Sequence, residues 1–234
     1  MDDGRVLGLV ADDPRAYASA HGALLVDFDA PREARTDVRS WLEAAAAIEG
    51  YSAREGKALV DAIVTKAGLV AVASGWVSAL GPPARAVLAV AEAAVVAHRH
   101  GGEITVVVPE PPIAFPARNE LRRLAASLCA GCEVVLHARE AFELVPIVGV
   151  DFVVDESGGS IAPPVGMRSI HARVFGAGEA YEGWRAALTK LGVHIAGGPI
   201  THVLAAPEGV GPRQILAAAH EAGLDVLEVR DAFD

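Results

Sequence analysis

The stretch Leu69–Glu110 reads LVAVASGWVSALGPPARAVLAVAEAAVVAHRHGGEITVVVPE. A short apolar run, Leu69 to Ala73, meets a loop of small residues that contains Gly75, Gly81, Pro82 and Pro83. An alanine-rich segment then places Val87, Val90, Ala91, Ala94 and Val95 at helical spacing and ends in His98-Arg99-His100, where positive charge meets the negative end of a helix dipole. Gly101-Gly102 breaks it, and a second apolar run, Ile104 to Val108, is closed by Pro109 and Glu110. The pattern predicts strand, loop, helix and strand. Such a unit belongs to a parallel sheet whose ligands gather at the carboxyl ends of the strands.

Upstream, Arg5–Ala11 and Ala23–Phe28 read as short buried strands joined by the turn-prone Asp12-Asp13-Pro14. Asp27 and Asp29 close the second, and an Asp-x-Asp pair after a strand can hold Mg²⁺, as in haloacid-dehalogenase-type phosphatases. Pro31 stands where that motif prefers Thr or Val, and no lysine lies between Lys66 and Lys190 to hold phosphate, so the carboxylates are read as solvating a strand end. A helix is expected from near Pro31 through Trp41 to Ile48. Ser52 and Glu55 then make a capping box for a helix with Leu59, Val60, Ile63, Val64 and Ala67 on one face, stopped by Gly68.

Downstream, a helix from Arg118 carries Leu121, Leu124, Ala125 and Leu128, and a strand runs from Glu133 to His137. Cys129 and Cys132 are read as core thiols, because zinc needs four ligands and there is no second pair. His98 and His100, two residues apart, point to different helix faces and do not make a metal site. Val150–Val154 is a strand, followed by the glycine-rich Glu156–Ser160, read as either a ligand loop or a plain connection. Ser169–Phe175, His202–Ala206 and Val226–Val229 are further strands, with helices around Trp184 and over Ile215–Ala222. Gly176-Ala177-Gly178 falls short of a dinucleotide fingerprint because Tyr181 stands at the third glycine position.

The expected organisation is an α/β extension at 1–50 and a Rossmann-like domain at 51–234. Thirty acidic and twenty basic side chains give a net charge of -10, which argues against nucleic acid and anionic membrane surfaces. No export signal or membrane span is read, and two cysteines make no disulfide framework, so a cytoplasmic setting is expected.

Residues 51–155 resemble a plant family of uncharacterised proteins grouped with the S-adenosylmethionine-dependent methyltransferases. The resemblance rests on Tyr51-Ser52, on HRHGG at 98–102, on Val107-Val108-Pro109-Glu110 and on Gly149-Val150-Asp151-Phe152-Val153-Val154-Asp155. It implies a mostly parallel, methyltransferase-type sheet with helices on both faces, binding S-adenosylmethionine. By that resemblance Ser74, Gly75 and Gly81 face the methionine part of the cofactor and Glu110 takes the ribose hydroxyls. His137 to Glu140 border adenine, and Asp155, the candidate catalytic base, faces a small-molecule substrate or, in catechol-type relatives, a metal, for which no ligands are assigned.

Two functions follow. One is a small-molecule methyltransferase, in which Asp155, His137 or Asp151 could take a proton. The other is a methyltransferase-like fold without catalysis that acts as a binding or assembly module. The loop Ser74–Gly81, which lacks closely spaced glycines and places Trp76 where a cofactor would lie, supports the second.

Overall fold

The computed structural model describes residues 5–29, 35–113, 117–139, 144, 150–155, 160–161, 167–176, 178–197 and 200–231. The first sheet contains β1 (Val6–Val10), β2 (Leu24–Leu25), β3 (Thr105–Val108), β4 (Glu133–Ala138), β5 (Val150–Asp155) and β6 (Ser160–Ile161) in the order β2-β3-β4-β1-β5-β6. All neighbours from β2 to β5 are parallel, and only β6 runs antiparallel. The second strand is shorter than the apolar run Ala23–Phe28 suggested. β1 lies in the middle of this sheet, between β4 and β5.

The alternation of side chains along the strands assigns the two faces. Leu7, Leu9, Val107 and Val135 share a small core with Ala18 of α1 (Pro14–His21). Val106, Val108, Val134 and Leu136 point the other way, into the main core. That face is covered by α2 (Val38–Ile48), α3 (Ala53–Lys66), α4 (Pro82–His100) and α5 (Ala117–Leu128). Ser52 caps α3 through the expected box with Glu55. α4 is buried almost all round, from Ala86 to Ala97, as a helix apolar on every side should be. Its Glu92 accepts a hydrogen bond from Trp41 Nε1 at 2.9 Å, tying α2 to α4, and burial raises that carboxyl's pKa. Among the described residues no helix is long and apolar enough to cross a membrane.

The expected strand at Leu69–Ala73 is absent. Val70–Val72 forms a 3-10 turn instead. The cause is local: Gly68 leaves α3 at φ 69°, and Leu69 N–H bonds back to Val64 O at 2.9 Å. Val72 and Gly75 N–H then close turns onto Leu69 O at 3.0 Å and Val72 O at 2.8 Å. Backbone partners are thus found within the segment, and Val70 is left exposed.

The expectation of one mostly parallel sheet also fails beyond residue 166. β7 (Met167–Phe175), β8 (His194–Gly197), β9 (Thr201–Pro207) and β10 (Asp225–Asp231) form a separate sheet, ordered β10-β7-β9-β8 and antiparallel throughout. With α6 (Glu179–Lys190) and α7 (Pro212–Glu221) the chain order is β-α-β-β-α-β, the split arrangement of ferredoxin-like units. It has its own core, built on Ile170, Trp184, Leu188, Leu204 and Ile215.

Candidate functional site

The carboxyl ends of β1, β3 and β4 meet at His137. The register sets Leu9 opposite His137, so the imidazole lies on the α1 face with Val135 and Leu9. Glu110 N–H donates to His137 Nδ1 at 3.1 Å, and His137 Nε2 lies 2.8 Å from Ala11 O. Because Nδ1 accepts, Nε2 carries the proton and donates it to the carbonyl, which makes the ring the neutral Nε2–H tautomer. One side chain thus fastens three strand ends. Burial, ahead of the charge of Arg122, holds its pKa below the ordinary histidine value.

Around it sits a group of charges. The Glu110 carboxylate is paired with Arg118 and, at 3.5 Å, with Arg139. Arg118 Nε also donates to Ile113 O at 2.7 Å, which closes the link from β3 to α5. Arg122, 0% exposed, donates from NH2 to His137 O at 2.7 Å and from NH1 to Asn119 Oδ1 at 3.2 Å.

Beside this cluster a cleft of about 710 Å³ opens between α1 and the ends of β2 and β3. Asp13, Asp27, Asp29 and Glu110 line it, with Arg15 and Ser19. Asp13 caps α1, accepting from Arg15 N–H at 2.9 Å, and Asp27 accepts from Asp29 N–H at 2.9 Å. Among the described residues no set of three or more His, Cys, Asp and Glu side chains is arranged to hold a metal.

Of the residues expected from sequence, Glu110 and His137 come together, and Asp155 ends β5 opposite Val10 of β1. Ser74 and Gly75 lie in the connection between α3 and α4. There the Ala73 and Gly75 carbonyls accept from Arg39 N–H at 3.0 Å and Val38 N–H at 3.2 Å, the first amides of α2. Gly81 is the N-cap of α4. Glu140 and Glu156–Gly159 lie outside the described residues. Cys129 and Cys132 are both buried free thiols, and burial pushes the Cys129 thiol up to about 12. Asp13, Arg118 and Arg122 are not among the site residues that the sequence points to, whereas Arg139 falls within the expected 137–140 stretch. For Arg122 a signal existed, since it stands three residues before the core-facing Ala125 and so within the same stripe.

No family model matches the chain, and no curated protein matches it. Among solved structures it is similar to CbiO1 from Clostridium perfringens, described as part of the ABC transporter complex CbiONQ. The two are 12% identical, the match covers 68% of this chain and 76% of that one, and the TM-score is 0.54. At that identity the likeness shows the fold alone.

That fold is not the methyltransferase-type sheet that the resemblance implies, so the methyltransferase family, the methyl-transfer function in its active or inactive form and S-adenosylmethionine as cofactor are withdrawn with it. The expected absence of a membrane partner is withdrawn as well; CbiO1 is itself described as part of a transporter complex. The motifs that suggested that family are general parts of a parallel α/β sheet: Tyr51-Ser52 opens α3 with a capping box, HRHGG ends α4, and VVPE and GVDFVVD contain strand ends.

The neutral state of His137 has a measurable consequence. Its folded pKa lies below the unfolded value near 6.5. It therefore contributes stability that is present above about pH 6.5 and lost as pH falls through the folded pKa. Burial lowers His98 and His171 in the same direction. Urea midpoints should fall between neutral pH and pH 5, and His137→Asn, which keeps an acceptor for Glu110 N–H, should reduce that slope. Identical slopes in the two proteins would refute the assignment.

Proposed function

We propose that this chain is a transporter-complex subunit of the ABC-type fold that acts by association with its partners rather than by hydrolysing nucleotide. The observation that carries this reading is the turn between β1 and α1. In a phosphate-binding loop that strand-to-helix turn reads G-x-x-x-x-G-K-[ST], so that bare amides and a lysine meet the phosphates. Here it reads Ala11-Asp12-Asp13-Pro14-Arg15-Ala16-Tyr17-Ala18, with no glycine, lysine, serine or threonine.

The charge of the neighbouring cleft points the same way. A carboxylate 4 Å from a phosphate oxygen costs about 4 kcal/mol at an effective dielectric of about 20. The cleft is lined by four carboxylates, of which Glu110 is paired with Arg118 and Arg139, and by one arginine, Arg15, and the whole chain has a net charge of -10. The residues present do not fit a nucleotide. A cytoplasmic position against a membrane-bound partner fits the buried, reduced thiols and the likeness to a transporter subunit.

The expected result is no thermal shift with millimolar Mg-ATP and no hydrolysis above background. A ligand at one hundred times its dissociation constant would stabilise by about 2.7 kcal/mol and be unmistakable. In fractionated cells the tagged chain should sediment with membranes and, after detergent extraction, run as a complex larger than its own 24.1 kDa. Saturable ATP binding, or a monomer confined to the soluble fraction, would overturn the reading.

A further inference from the structure

We infer that the phosphate-receiving turn of this fold is filled by the chain's own carboxylate, Asp13, which makes the subunit indifferent to phosphate and nucleotide rather than merely poor at binding them. The inference rests on the reading of the chain as a nucleotide-independent ABC-type subunit, and it names the residues responsible.

A phosphate at a helix N-terminus is held by the first free amides and by the helix dipole. In α1 Pro14 occupies the first turn and has no N–H, and the Arg15 N–H donates to Asp13 Oδ1 at 2.9 Å. An internal anion therefore sits where an external one would, and takes the same dipole stabilisation. Of the other carboxylates lining the cleft, Glu110 is already neutralised by Arg118 and Arg139, so Asp13 is the anion at the helix end.

The test is anion rescue by inorganic phosphate, measured as thermal shift against sodium chloride at equal ionic strength. Wild type should show no phosphate-specific shift. Asp13→Asn, which keeps a side-chain oxygen on the Arg15 amide, should show none either. The double variant Asp13→Ala, Pro14→Ala exposes two amides; it should melt about 2–4 °C below wild type and recover much of that in phosphate but not in chloride. A phosphate shift in wild type, or no phosphate-specific recovery in the double variant, overturns the inference. Should wild type show no phosphate response and the double variant recover in phosphate while the tagged chain runs as a free soluble monomer, the subunit reading fails and the resident carboxylate stands; saturable ATP binding by wild type overturns both.

Discussion

Replacing Trp184 with alanine is expected to destabilise the C-terminal unit by about 3–5 kcal/mol, the usual cost of removing a fully buried tryptophan. Trp184 is 0% exposed on α6 and packs edge-on to His202, with ring centroids 5.2 Å apart. Its neighbours in the core come from β7, β9, α6 and α7, and none belongs to the core under the first sheet. The variant should therefore lose its second sheet before its first.

Fluorescence makes this visible, because the two tryptophans that remain, Trp41 and Trp76, both report on the first unit. Trp41 packs against the main core and bonds to Glu92 of α4. In wild type, circular dichroism and fluorescence should follow each other closely in urea. In Trp184→Ala, ellipticity should begin to fall at a lower concentration than fluorescence does. Coincident curves displaced by less than about 1 kcal/mol would show that Trp184 does not hold the unit together.

What the sequence shows of this fold follows from how local each signal is. The capping box at Ser52 and Glu55, the strands at 105–108 and 133–138 and the glycine after α3 depend on neighbours a few residues away, and all were readable. Leu69–Ala73 reads as a strand because a run of five apolar residues does not distinguish a buried strand from a turn that leaves Val70 and Ala71 exposed. The antiparallel second sheet was missed for one specific reason. The sequence shows no strand signal at β8 (His194–Gly197), and with it goes the short link from Gly197 to Thr201, too brief for the crossover that parallel strands need.

At the candidate site, Glu110 and His137 were readable as strand ends. The partners that give them meaning were not: Ala11 O is 126 positions from His137, and Arg122 meets the backbone of a different element. Hydrogen bonds to distant carbonyls leave no periodic trace. The family resemblance failed for the converse reason, since its motifs were local signals that unrelated parallel sheets share.

Arg122→Met is expected to cost about 2–4 kcal/mol and to raise the pKa of His137. Methionine keeps much of the apolar stem's packing, so the loss comes from the acceptors it abandons, His137 O and Asn119 Oδ1 among them. The carbonyl of His137 and Oδ1 of Asn119 each lose a charge-assisted donor in a buried place, at about 1–3 kcal/mol apiece. Relief from burying a guanidinium opposes this and keeps the net effect below the sum. Arg122→Lys should be only a partial remedy, because a single ammonium cannot reproduce the fork that reaches both acceptors. The charge of Arg122 is also one of the causes that lower the His137 pKa, after burial. Removing it should let the imidazole protonate at higher pH, so that less stability is lost on acidification. A histidine titration by NMR in wild type and Arg122→Met reads this directly. An unmoved His137 titration, with stability within about 0.5 kcal/mol of wild type, would mean that the buried guanidinium does not hold the end of β4.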